Sequence, residues 1–207
     1  MGRPLVAVYR SFSGEALAIA GRFDDASARP IAAPSGLLVD AQEACIVRLL
    51  DAWARFSREL VVEGTVGTTT MGGTRIAACP GVRTHRDVVP ELRRRQTNRK
   101  APWWEPRWHS ASECLDAVRV LGLANATTIQ SALGAANSPA EDLRKVRNFI
   151  AHRSEKTAQG MLEVARNIPA PPSVRPAALS ATLIPPGITL FRSWVTDLLA
   201  IAHAAAS

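Results

Sequence analysis

Residues 35–63, SGLLVDAQEACIVRLLDAWARFSRELVVE, decide the fold class. The apolar positions Leu38, Ala41, Cys45, Leu49, Trp53, Phe56 and Leu60 step by three or four, the repeat of a helix with one buried face. Glu43, Arg48, Asp51, Arg55, Arg58 and Glu59 fall largely off that line. Pro34-Ser35 supplies a start signal and Gly64 a stop. Upstream, a shorter amphipathic piece from Leu5 to Phe23 runs into polar residues 24–29, so residues 1–34 are expected to form an N-terminal helical arm.

Downstream, residues 64–108 change character. The stretch from Gly64 to Thr74 is rich in glycine and threonine, and Pro80, Pro90, Pro102 and Pro106 punctuate the remainder. An irregular insertion is expected there, with a small hairpin between Val61-Val62 and Ile76. The glycines are not followed by the G-K-[ST] of a nucleotide-binding loop. Helices resume at two capping-box patterns, Ser110-Ala111-Ser112-Glu113 and Ser138-Pro139-Ala140-Glu141. The first opens a helix ending near Gly122. A short helix is expected around 127–133, and the second box opens the helix carrying Arg147 and His152. Residues 159–167 continue helical until Pro169-Ala170-Pro171-Pro172, and a last helix spans about 188–205. The expectation is an all-α protein, with one helical domain over 35–207 interrupted at 64–108.

Composition bounds the function. The chain has 207 residues, 47% hydrophobic and 21% charged, which excludes wholesale disorder. Cys45, Cys79 and Cys114 lie more than thirty residues apart without a C-x-x-C pair, which argues against a disulfide framework or zinc knuckle and fits a reducing cytosol. No apolar run approaches the roughly 18 residues of a membrane span, and no signal peptide is expected, since no long apolar stretch follows Met1-Gly2-Arg3-Pro4. A cytoplasmic protein with no membrane contact is expected. The net charge of +7 favours polyanions, and Glu91 to His109 holds six cations against two anions. Arg93-Arg94-Arg95 and Arg99-Lys100, with Trp103-Trp104 and Trp108, combine phosphate-seeking cations with rings able to stack on unpaired bases. The bland alternative has the tryptophans plugging a helix bundle and the arginines solvated. His85 and His109 lack ligand spacing, so no metal site is expected.

The chemistry-bearing stretch is Leu143-Arg144-Lys145-Val146-Arg147-Asn148-Phe149-Ile150-Ala151-His152-Arg153-Ser154. At about 100° per residue, Arg144, Asn148 and His152 form one polar stripe, which Glu155 and Gln159 would extend. Arg147 lies on the flank, roughly 140° from His152. Such residues suit RNA cleavage, where the 2′-hydroxyl is a built-in nucleophile. Histidine serves as acid or base near neutrality, and arginine stabilises phosphate oxyanions. Asn148 can orient the imidazole or hold a phosphate oxygen. One helix does not bring Arg147 and His152 to one small target; two copies about a twofold axis would. A homodimer is therefore expected, with RNA as its partner and Arg144, Lys145 and Arg153 as further phosphate contacts. The competing reading makes Arg147 and His152 a surface cluster with Glu155.

Arg147-Asn148-Phe149-Ile150-Ala151-His152 resembles the R-x4-H signature of the HEPN superfamily, with a polar residue after the arginine. The resemblance extends loosely over residues 35–207. It implies an up-down helical bundle and a metal-independent endoribonuclease of bacterial toxin–antitoxin or phage-defence systems, with its site built by dimerisation and no cofactor. It also implies Arg147 and His152 as catalytic with Asn148 as their polar neighbour, and an antitoxin or a sensor or ATPase subunit as partner. Arg153-Ser154 stands where HEPN toxins silenced by adenylylation carry a tyrosine, so that form of control is not expected. A noncatalytic HEPN-like adaptor or antitoxin-like subunit is the alternative the resemblance allows.

Overall fold

Periodicity is realised most fully at α1 (Leu5–Ala28) and α2 (Gly36–Val66). Leu5, Val8, Phe12, Ala16, Ile19 and Phe23 recur every three or four residues of α1 and are all buried. Residues expected to form an appended arm therefore belong to the core. In α2, Cys45, Leu49, Trp53, Phe56 and Leu60 are buried as their spacing predicts, whereas Ala41 is exposed. The helix runs through Gly64 instead of stopping there. A Cβ at Gly64 would lie 2.9 Å from the Leu123 side chain, so this glycine permits close packing. The chain leaves the helix at Gly67, whose φ of +90° belongs to the left-handed region.

This computed structural model describes residues 1–28, 36–96, 104–134, 139–168 and 175–207. Pro34-Ser35, Ser138, Pro169–Pro172, Arg99, Lys100, Pro102 and Trp103 lie outside them. Among the described residues there are nine helices and four two-residue strands, so the protein is mostly helical. The remaining helices are α3 (His85–Arg95), α4 (Ala111–Leu121), α5 (Ala126–Leu133), α6 (Pro139–His152), α7 (Glu155–Arg166), α8 (Pro176–Ser180) and α9 (Leu190–Ala206). The strands pair as two antiparallel hairpins, β1 (Thr68–Thr69) with β2 (Arg75–Ile76) and β3 (Leu183–Ile184) with β4 (Ile188–Thr189).

The chain divides into two compact units, and α1, α2 and α9 each contribute residues to both. The first comprises Met1–Ser13, Trp53–Ser138 and Ala200–Ser207. Phe12, Trp53 and Phe56 form its aromatic cluster, with ring centroids 5.0–5.8 Å apart. Its hairpin begins at Thr68, because Val61-Val62 belong to α2. The segment expected to be irregular also holds α3, despite the internal Pro90. Proline there removes one helical hydrogen bond, but Val88 and Leu92 bury fully one turn apart. The Asp87 carboxylate also accepts from the Thr84 and Arg83 backbone N–H groups at 2.8 and 3.1 Å. Those bonds, that of Thr84 foremost, hold the Asp87 carboxyl below its usual range.

At α4 the stop at Gly122 is as expected, with φ +67°. The capping box is not formed: Glu113 accepts from the Arg107 backbone N–H at 2.6 Å, and Ser110 Oγ meets Ser112 Oγ.

The second unit comprises Gly14–Ala52 and Pro139–Leu199. Phe23 and Phe191 stack there at 4.1 Å, and α6 packs against α7 and α8.

Candidate functional site

Helix α6 carries the candidate site and is built with ordinary helix chemistry. Pro139 leads it, and Glu141 and Asp142 lie in its first turn, where negative charge suits the helix dipole. Ala140, Leu143 and Val146 anchor it by burying fully. Burial pushes the Asp142 carboxyl up, opposed by the nearby Lys145 charge.

The helix ends at His152, two residues short of a new start. Arg153 adopts φ +43°, a left-handed conformation that is uncommon outside glycine. Ser154 then caps α7: its Oγ accepts from the Thr157 N–H, and Thr157 Oγ1 accepts from the Ser154 N–H at 3.0 Å. The stripe Arg144-Asn148-His152 therefore stops at its third member. Glu155 and Gln159 belong to α7 and do not extend it, a correction to the single continuous helix that periodicity suggested.

The cations of this region fall into two groups. Arg144 Nε donates to Glu141 at 2.7 Å, and Lys145 pairs with Glu163 of α7 at 3.0 Å. Arg153 donates to both oxygens of Glu43 at 2.9 and 3.1 Å, and its guanidinium lies 5.1 Å from the Phe149 ring centroid. These three, expected as phosphate contacts, are occupied within the fold. Arg147 is half-buried, Asn148 likewise, and His152 is exposed. None of their side chains has a hydrogen bond or ion pair among the described residues, and Glu155 pairs with neither Arg147 nor His152. Within one copy, five residues of helix separate Arg147 and His152 by about 140° around the axis and about 7.5 Å along it. They do not converge in the single chain.

The arginines of α3 are arranged differently. Glu91, almost fully buried, accepts two bonds from Arg94 at 2.7 Å and one from Arg95 at 2.6 Å. Those guanidinium bonds lower the Glu91 pKa to about 2. Arg95 also donates to the Leu121 and Pro80 carbonyls, and Arg93 Nε donates to the Trp104 carbonyl at 2.6 Å. Of the five cations expected to contact RNA here, Arg93 and Arg95 are thus structural, and Arg94 alone projects, 71% exposed. Arg99 and Lys100 lie outside the described residues.

Other chemistries find less support. All three cysteines are buried, and burial pushes their thiols up, Cys114 to about 12, the opposite of an activated nucleophile. Among the described residues no His, Cys, Asp and Glu cluster has the makings of a metal site, and no helix is long and apolar enough to cross a membrane.

Sequence reasoning missed Glu43, which sets the position of Arg153 from 110 residues away; no local signal points to it. The break at Ser154 was readable in the Ser154-x-x-Thr157 pattern. No protein-family model matches the chain, and neither a curated protein nor a solved structure matches it.

Proposed function

We propose that this protein is a metal-independent endoribonuclease of the HEPN type, serving a bacterial toxin–antitoxin or phage-defence system in the cytoplasm and acting as a homodimer. The supporting observation is the sorting of charge around α6. Arg144, Lys145 and Arg153 are each committed to a carboxylate, while Arg147, Asn148 and His152 make no polar side-chain contact among the described residues. Arg147, half-buried as a residue, has no counter-charge among the described residues. It is suited to an anion supplied from outside.

On this reading, His152 of one copy takes the proton of the RNA 2′-hydroxyl as that oxygen attacks the adjacent phosphorus. The bond from phosphorus to the 5′-oxygen breaks, and the same histidine of the second copy protonates the departing oxygen. Arg147 faces the charge that builds on the non-bridging oxygens, and Asn148 orients the imidazole. The products are a 2′,3′-cyclic phosphate and a 5′-hydroxyl. The twofold arrangement supplies the convergence that one helix lacks.

The test is cleavage of a defined RNA by purified protein in EDTA, with wild type and His152→Ala compared at matched folding. Cleavage with those termini, lost in the variant, is expected. Cleavage abolished by chelation, or unchanged in His152→Ala, overturns the mechanism. Binding without cleavage by wild type favours a noncatalytic adaptor.

A further inference from the structure

The turn between α6 and α7 is held differently from the rest of that helix pair. Ala140, Leu143 and Val146 of α6 and Met161, Val164 and Ala165 of α7 are buried. All of them lie away from the turn, and from Arg147 to Gly160 no residue is fully buried. Apolar packing therefore fixes the far ends of the two helices, and His152 sits at the end it does not reach. The bonds between Ser154 and Thr157 stay within the turn. The contact that reaches beyond it belongs to Arg153, which donates from one guanidinium nitrogen to both carboxylate oxygens of Glu43 in α2, at 2.9 and 3.1 Å. The Glu43 side chain is only 12% exposed. A carboxylate so far withdrawn from water is costly to leave without its cation, unlike one partner of a solvated surface pair.

The backbone at this position sharpens the point. Arg153 adopts φ +43°, a conformation that glycine or asparagine enters more readily. A turn alone would be better served by glycine. What arginine adds is reach: its guanidinium crosses to Glu43 and lies 5.1 Å from the Phe149 ring centroid. Its own N–H donates to the Phe149 carbonyl at 3.0 Å, closing the last turn of α6 beside His152. We propose that Glu43 and Arg153 are positioning residues for His152. The clamp between their side chains, more than the backbone of the turn, fixes the end of α6 and with it the imidazole. The need for a fixed imidazole rests on the endoribonuclease reading; the clamp itself does not.

The experiment follows backbone amide exchange and the His152 ring resonances by NMR in the full chain, for wild type, Glu43→Gln, Arg153→Gly and their combination. Glycine at 153 suits the left-handed turn and removes the side chain, so it separates the two causes. Each single variant is expected to speed exchange of the Ile150 to His152 amides about tenfold or more and to shift the His152 resonances. The Leu143 to Val146 amides, in the buried half of α6, should not change. The combination should add little to either single variant, because both remove one contact. Wild-type exchange and resonances in folded Glu43→Gln or Arg153→Gly overturn the proposal. So does acceleration spread evenly over α6, which would make the pair a general support of the unit. In RNA cleavage, Glu43→Gln should lower kcat about tenfold or more with KM little changed. Unchanged kcat despite faster exchange overturns the positioning role. A wild type that cuts no RNA removes the endoribonuclease reading, while exchange and resonances still decide the clamp.

Discussion

Helices α3 and α6 have similar raw material and opposite outcomes. Each is short, arginine-rich and anchored by a few buried aliphatic side chains. In α3 a nearly buried glutamate gathers Arg94 and Arg95, and backbone carbonyls hold Arg93 and Arg95. In α6 the flanking cations are neutralised and the Arg147-Asn148-His152 group is left over. The difference is one of spacing. Glu91 stands three and four residues before its arginines, and Glu141 three before Arg144, the separations at which helical side chains meet. Arg147 has Leu143, Arg144, Ile150 and Ala151 at those separations, none of them acidic. Counting arginines says little about function; asking which of them has a carboxylate within a turn says more.

The largest expected effect breaks the α6 side of this contrast. His152→Ala should lower RNA cleavage by about 10²–10⁴-fold, the range for losing a general acid–base, with the circular dichroism spectrum retained because the side chain is exposed. Next, Leu92→Ala should cost about 2–5 kcal/mol by emptying the buried side of α3, read by urea unfolding, and should disrupt its arginine network with it.

A third measurement uses acid. Because the folded-state pKa of Glu91 is depressed to about 2 from an ordinary 4.5, the stability it contributes is full above that ordinary value and is lost as pH falls toward about 2. Glu91→Gln should lower Tm at neutral pH and flatten the decline of Tm through that window. The smallest effect belongs to Arg144→Gln, which removes a partly exposed ion pair worth about 0.3–0.5 kcal/mol and should leave cleavage nearly unchanged. A large loss of cleavage there would return Arg144 to the substrate contacts.

Much of the helical fold was legible. The helical character of α1, the burial of the middle of α2, the Gly122 stop and the last helix arise from apolar spacing and one left-handed glycine, whereas the burial of α1 in the core was not read from it. The illegible parts have physical causes. Pro90 concealed α3, because burial of Val88 and Leu92 with Asp87 at the start outweighs one missing hydrogen bond. Gly64 looked like a stop but answers to Leu123, nearly sixty residues away. At the candidate site, Arg144, Arg147 and Asn148 are half-buried and His152 is exposed. The end of the helix at Arg153 and its anchor Glu43 depend on a tertiary contact that no local pattern encodes.

Specific activity measured against protomer concentration, with sedimentation on the same samples, is the most direct test of a site completed by a second copy. The account predicts that cleavage in EDTA rises and falls with the dimer fraction. Full activity in a species that sediments as a monomer would contradict it.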